Sequence, residues 1–94
     1  MNKRYPFLDK VNLVNADEEY NYTFPVGTKA FIIQTRSGVK FKYAWKPGDI
    51  LLDKYISANQ GITKLEENMG LSETLTIYFS CSDAGEIMEV EYFL

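Results

Sequence analysis

The stretch TLTIYFSCSDAGEIMEVEYFL, residues 74–94, contains the most regular pattern in the chain and decides its fold class. Its first half places Leu75, Ile77 and Phe79 on one side of an extended chain, with hydroxyl-bearing residues on the other side. Turn-forming residues follow at 83–85, and the second half again alternates apolar residues with glutamates. Alternation with a period of two, interrupted by a short turn, predicts two β-strands that each bury one face.

Similar patterns recur through the rest of the chain. Gly27 and Gly38 occupy turn positions that favour a positive φ, because glycine has no Cβ. The turn RSG at 36–38 is expected to join its two flanking strands as a β-hairpin. Short strands and tight turns predict an all-β fold, which is a small antiparallel β-sandwich, jelly-roll-like or barrel-like, formed as one domain by residues 1–94. Besides the two C-terminal strands, the segments expected to be extended are 11–16, 20–24, 29–35, 39–45 and 50–57.

Two further segments have weaker patterns. Thr63 and Glu66 have the spacing of a capping box, so at most one short helical turn is expected around 63–69. An irregular connection with one extended segment is the alternative for residues 58–73. Residues 1–10 are expected to form an N-terminal arm, which is either flexible or engaged in an interface.

The composition excludes several classes of function. The chain of 94 residues has a net charge of −3, contains no histidine and has a single cysteine, Cys81. Without histidine there are no Ser-His or Cys-His nucleophilic pairs and no histidine metal ligands. The sequence has no phosphate-cradling glycine loop, and the acidic run ADEEY at 16–20 lacks the spacing of a calcium loop. A non-enzymatic protein is therefore expected, without a cofactor, a metal site or a small-molecule substrate.

The chain also lacks the patterns of membrane targeting. No apolar run approaches the roughly 18 residues that span a bilayer. No apolar region follows the basic residues of the first ten positions, as it does in a secretory signal. Neither a transmembrane segment nor a signal peptide is expected, and no membrane partner is expected.

The lysine-bearing strand VKFKYAWK suggests nucleic-acid binding as an alternative function. In that case Lys40, Lys42 and Lys46 hold phosphates while neighbouring rings stack on bases. The pleat, however, separates the lysines from the rings, and the acidic net charge argues against a phosphate binder. A structural strand is favoured, with its rings in the core and its lysines opposite Glu89 and Glu91 of the last strand.

Apolar residues on both faces of two strands predict an interaction surface. The segment 29–35 is apolar on both faces, and the last strand also has apolar residues on its glutamate face. A thin sandwich covers only one face of each strand internally, so the second face is expected to be covered by another subunit. The alternative is that Phe31 and Phe93 pack beneath the connection 58–73. A homo-oligomer, or a complex with other proteins, is therefore expected. The residues predicted for this protein interface are Phe31, Ile33, Ile87 and Phe93.

Several turn and strand motifs are similar to those of a known group of proteins. They are Pro25-Val26-Gly27-Thr28, Ile33-Gln34-Thr35-Arg36, Ile77-Tyr78-Phe79 and Ala84-Gly85 followed by Glu89-Val90-Glu91. Over residues 20–93 the chain resembles small β-sandwich structural proteins of bacteriophage particles, of the capsid-decorating, head–tail or tail-associated type. The resemblance implies a non-enzymatic virion component that is made in the host cytoplasm and binds other virion proteins in many copies. It implies no catalytic residue.

Overall fold

The computed structural model describes residues 6–58, 62–66 and 72–94, the second of these ranges through its backbone alone. The connection between the fourth and fifth strands contains one turn of 3₁₀ helix, Ile50–Leu52. The expectation of an all-β fold is confirmed. The eight strands of the described ranges are β1 (Phe7–Leu13), β2 (Tyr20–Phe24), β3 (Ala30–Thr35), β4 (Phe41–Ala44), β5 (Ile56–Ala58), β6 (Ile62–Glu66), β7 (Leu75–Ser80) and β8 (Glu86–Phe93).

The strands form two four-stranded antiparallel sheets. Sheet A has the order β1-β8-β3-β6, and sheet B has the order β2-β7-β4-β5. Apart from the β4–β5 hairpin, each strand is followed in the chain by a strand of the opposite sheet. This order is that of an eight-stranded jelly roll, a β-sandwich built from two Greek keys.

The core lies between the sheets and is built from alternate residues of their central strands. Ile77 and Phe79 of β7 pack in one buried cluster with Met88 and Val90 of β8. Successive side chains of a strand point to opposite sides of its sheet, so the alternation seen in the sequence becomes one dry face and one wet face. Burial of each such side chain contributes about 1.5–3 kcal/mol. The inner faces predicted for the last two strands are confirmed.

The predicted hairpin between residues 29–35 and 39–45 is wrong, because β3 belongs to sheet A and β4 to sheet B. Gly38 has the expected positive φ of 82°, and its N–H donates to the Thr35 carbonyl. The turn nevertheless carries the chain across the sandwich, and the Thr35 hydroxyl donates to the Val39 carbonyl at 2.6 Å. Turn residues specify a change of direction, whereas the pairing of β3 is decided by its ladder with β8, which extends over six residues.

The helical turn expected around 63–69 is wrong where the structure describes that segment. Ile62–Glu66 form β6, which pairs antiparallel with β3 at the edge of sheet A. Residues 67–69 lie outside the described residues. A helix of one or two turns has little stability of its own, so the hydrogen bonds offered by the free side of β3 decide the conformation. The alternative of an extended segment is the one confirmed.

Two other predicted segments have different bounds in the structure. Residues 7–10 of the expected N-terminal arm belong to β1, which pairs with β8 along its whole length. Residues 1–5 lie outside the described residues. The predicted strand at 50–57 is mostly a connection, because Asp53 adopts a left-handed φ of 63° after the 3₁₀ turn and breaks the extended path.

Candidate interaction surfaces

The outer face of sheet A mixes apolar and charged side chains. A shallow groove of about 620 Å³ runs over this face. Six of its nine lining residues lie in two rows across β1, β8 and β3. The first row is Leu8, Glu91 and Ile32, and the second is Lys10, Glu89 and Gln34.

Glu89 is held in place by two donors on this face. Its Oε1 accepts a hydrogen bond from Gln34 Nε2 at 2.8 Å, and its Oε2 accepts one from Arg36 Nε at 2.8 Å. These bonds, the first more than the second, hold the pKa of the Glu89 carboxyl below its ordinary value of 4.5. The three side chains are partly in water, which screens the charges, so the network orients them more than it stabilises the fold.

Replacing Gln34 by leucine is expected to raise the pKa of Glu89 toward 4.5, because the carboxylate loses the donor that lowers it most. Replacing Arg36 by leucine is expected to raise it less. Because the pKa of Glu89 is lower in the folded state than in the unfolded state, its carboxylate stabilises the fold at a pH above the unfolded-state pKa. This stabilisation is lost as the pH falls through the folded-state pKa. A carboxyl-detected NMR titration measures both shifts. If Glu89 titrates identically in the wild type and in Gln34→Leu, Gln34 does not lower the pKa of Glu89 and the prediction is wrong.

The four residues predicted for a protein interface do not form one surface. Phe31 and Ile33 are 1% and 0% exposed and belong to the core, so the prediction is wrong for these two. Ile87 and Phe93 do lie on the outer face of sheet A, where Ile87 is half-buried and Phe93 is 40% exposed. The prediction chose the wrong face of β3 as the outer one. The residues of β3 that face outward include Ala30 and Ile32, whereas Phe31 and Ile33 face the core.

Exposed apolar side chains concentrate at one end of the sandwich. The register shows that β1, β3, β5 and β7 begin at this end and that β2, β4 and β8 finish there. Of the ten large hydrophobic side chains that are exposed among the described residues, all except Val14 belong to strand ends or connections of this end. We call this surface the apolar end; it consists of Phe7, Leu8, Val26, Trp45, Leu51, Leu52, Ile56, Phe93 and Leu94.

Backbone and ring contacts tie the elements of the apolar end together. The N–H of Lys29 donates to the Phe93 carbonyl at 2.8 Å, which joins the start of β3 to the end of β8. The Trp45 ring lies edge-on to the Phe31 ring, with centroids 6.1 Å apart, which joins the connection after β4 to sheet A. These contacts give the apolar end a defined backbone on which its side chains are displayed.

Sequence reasoning missed most of this surface. The strand predicted at 50–57 includes Leu51 and Leu52, but the structure places both on the 3₁₀ turn, where they are 81% and 66% exposed. The available signal was the run of three consecutive apolar residues directly after the turn KPGD. A strand with one buried face cannot bury three apolar neighbours in succession, so part of such a run must face outward.

Two of the three aromatic residues of the lysine-bearing strand lie in the core as predicted, but the prediction is wrong for Trp45, which is 36% exposed. Phe41 and Tyr43 are in the core, and Val39 packs against its margin. Trp45 lies at the rim, where its ring is edge-on to Tyr43 with centroids 6.1 Å apart. The separation of the rings from the lysines by the pleat is therefore confirmed.

The lysines of this strand do not pair with β8. Lys42 lies on the outer face of sheet B, whereas Glu89 and Glu91 lie on the outer face of sheet A, so the predicted cross-strand pairing is wrong. The Lys42 ammonium instead lies over the Tyr55 ring, 4.6 Å from its centroid. Lys40 and Lys42 line a common pocket of about 210 Å³. Lys46 lies beyond the other end of β4 and is exposed.

Cys81 has the environment of a structural thiol. It is 3% exposed, and its Sγ lies 3.7 Å from the Lys40 carbonyl oxygen, to which it is a weak donor. Burial raises the pKa of the Cys81 thiol above its ordinary value of 9.0. Activated cysteines show the opposite shift, because their neighbours favour the thiolate.

Within the residues that the structure describes, no helix is long and apolar enough to cross a membrane. The same residues contain no group of three cysteine, aspartate or glutamate side chains arranged to hold a metal ion. No protein-family model, curated protein or solved structure matches this chain.

Proposed function

We propose that this protein is a non-enzymatic structural component of a bacteriophage particle, present in many copies and acting through protein–protein contacts. Its contact surface is the apolar end, and its partners are other copies of the chain and neighbouring virion proteins. The observation that supports this most directly is the concentration of exposed apolar side chains at one end of the sandwich.

Large apolar side chains that remain in water favour association, because contact with a partner removes them from water. Isolated exposed hydrophobic residues are ordinary on protein surfaces, whereas their concentration in one region is typical of an interaction site. Leu51 and Leu52 are the clearest case, since they contribute almost no burial to the chain's own core. Burial of each in an interface stabilises the complex by about 1.5–3 kcal/mol.

The motifs and the topology add support of a more general kind. The chain resembles small β-sandwich virion proteins over residues 20–93. Jelly-roll domains occur in viral capsids, but they also occur in lectins and enzymes. Because one fold serves many functions, the proposal depends on the surface rather than on the fold.

The double substitution Leu51→Ser and Leu52→Ser is expected to weaken self-association by at least about 100-fold, because an interface loses two buried leucines. The matched control is Val14→Ser, since Val14 is 64% exposed at the opposite end of the sandwich. Sedimentation velocity over a wide range of protein concentration measures the association of all three proteins. Thermal unfolding is expected to be nearly unchanged, because the substituted side chains are in water.

Two results contradict the proposal. One is a wild-type protein that stays monomeric and does not bind the capsid or tail proteins encoded beside it. The other is equal weakening of association by the control and by the double variant, which shows that the apolar end is not the contact surface.

A further inference from the structure

A second pocket lies on the outer face of sheet B, at the end away from the apolar end. Its volume is about 210 Å³. This is smaller than the roughly 300–1,000 Å³ of sites for drug-sized ligands, so it fits one small chemical group. We call it the lysine pocket; its lining residues are Asp17, Lys40, Phe41, Lys42, Tyr55, Ser57, Ser80 and Ser82.

The strand register places Lys42 between two serines on the outer face of sheet B. Lys42 lies directly opposite Ser80 of β7 on one side and opposite Ser57 of β5 on the other. Its ammonium is held 4.6 Å above the centroid of the Tyr55 ring. A cation–π contact restricts the long lysine side chain, so less conformational entropy is lost when it binds a ligand.

Ser80 gives the pocket a polar floor. Its side chain points to the outer face of sheet B, yet the residue is only 3% exposed. Ser80 lines the pocket together with Ser82, which is exposed at the rim and supplies a second hydroxyl there.

The charges that face the pocket favour an anion over a cation. Lys40 and Lys42 contribute two positive charges, and Asp17 contributes one negative charge. Asp17 lies on the turn that follows β1. The Asp17 N–H donates a hydrogen bond to the Cys81 carbonyl at 2.7 Å, and this bond holds the turn in place. Ammonium groups and hydroxyls are the donors that bind phosphate oxygens, which carry charge and accept several hydrogen bonds at once.

We propose that the lysine pocket binds a phosphate group. Lys40 and Lys42 neutralise its charge, and the hydroxyls of Ser57 and Ser80 donate to its oxygens. The negative charge of Asp17 weakens the binding. This site is separate from the apolar end, so it does not depend on the function proposed for that surface.

Titration with inorganic phosphate tests the site, with ¹⁵N amide shifts as the readout and sodium chloride holding the ionic strength constant. Saturable shifts are expected at Ser57 and Ser80. Lys42→Gln is expected to weaken the affinity about tenfold, because a charge-assisted contact is lost. Lys46→Gln makes the same charge change outside the pocket and is expected to leave the affinity unchanged.

Asp17→Asn is the complementary variant, because it is expected to tighten phosphate binding about threefold by removing the opposing charge. Asn tolerates the left-handed conformation of this residue, where φ is 60°, so the variant keeps the turn. A gain of affinity cannot arise from misfolding, which makes this variant a control for Lys42→Gln. Absence of saturation, or equal effects of Lys42→Gln and Lys46→Gln, overturns the proposal.

A parallel titration with a short single-stranded oligothymidylate identifies the source of the phosphate group. Tighter binding than inorganic phosphate, lost in Lys42→Gln and retained in Lys46→Gln, supports the site and assigns it to a nucleic-acid backbone. Binding of inorganic phosphate alone supports the site and assigns it to a free phosphate or a small phosphate ester.

Discussion

Replacing Phe31 by alanine is expected to lower the free energy of unfolding by about 3–5 kcal/mol. Phe31 is 1% exposed, its ring stacks on Phe24 with centroids 4.3 Å apart, and it also lies edge-on to Trp45. The substitution leaves a cavity between the sheets that the surrounding rings fill only in part. Since small domains have a total stability of about 5–15 kcal/mol, a large share of the molecules is expected to unfold at moderate temperature.

The matched control for Phe31→Ala is Ile32→Ala, on the same strand but on its outer face. Ile32 is half-buried, so its truncation is expected to cost about 1 kcal/mol. Urea denaturation followed by tryptophan fluorescence measures both, because the single tryptophan lies beside Phe31. Similar losses for the two variants are incompatible with the orientation of β3 in the structure.

Cys81 is expected to react with a thiol reagent at least about 100-fold more slowly in the native protein than in urea. Two effects combine: the sulfur is 3% exposed, and burial raises the pKa of its thiol, which reduces the reactive thiolate. The chain has one cysteine, so the rate of colour release from an aromatic disulfide reagent reports this site alone. A native rate close to that in urea shows that Cys81 is accessible and contradicts the structure.

The raised pKa of Cys81 also predicts how the stability of the fold depends on pH. The folded state favours the protonated thiol, so the thiol stabilises the fold fully at a pH below its ordinary pKa of 9.0. This stabilisation is lost as the pH rises through the pKa of the thiol in the folded state. Tyr22 acts in the same direction, because burial and its hydrogen bond to Asp9 raise the pKa of its phenol. Alkaline solution is therefore expected to destabilise the protein, and Cys81→Ala is expected to reduce that sensitivity.

The strands with clean alternation were predictable from the sequence. Residues 20–24 form β2 with the predicted bounds, and β7 and β8 bury the predicted faces. In such a strand one face is apolar and the other polar, so local pattern and burial agree. Gly38 was predictable for a similar reason, since a positive φ is a local property of the backbone.

Strand β3 shows where the local pattern is insufficient. It is apolar on both faces, so the period of two divides its residues into two sets without indicating which set faces the core. The position of sheet B on one side of β3 places Phe31 and Ile33 inside and leaves Ile32 outside. The candidate interface was misassigned for that reason, and the exposed leucines of the 3₁₀ turn were missed because their run of apolar residues looked like a strand.

By itself, the sequence determined the all-β class, most of the strands, the inner faces of the amphipathic strands, and the absence of histidine chemistry. These properties depend on residues that are neighbours along the chain, and the geometry of a strand fixes how such neighbours are arranged. Only the tertiary structure decided which strands pair, that Ile62–Glu66 is extended, and that the lysines of β4 and the glutamates of β8 lie on opposite outer faces. Pairing joins residues that are distant in sequence, and its outcome depends on which free strand edge offers hydrogen bonds and which face the opposite sheet covers.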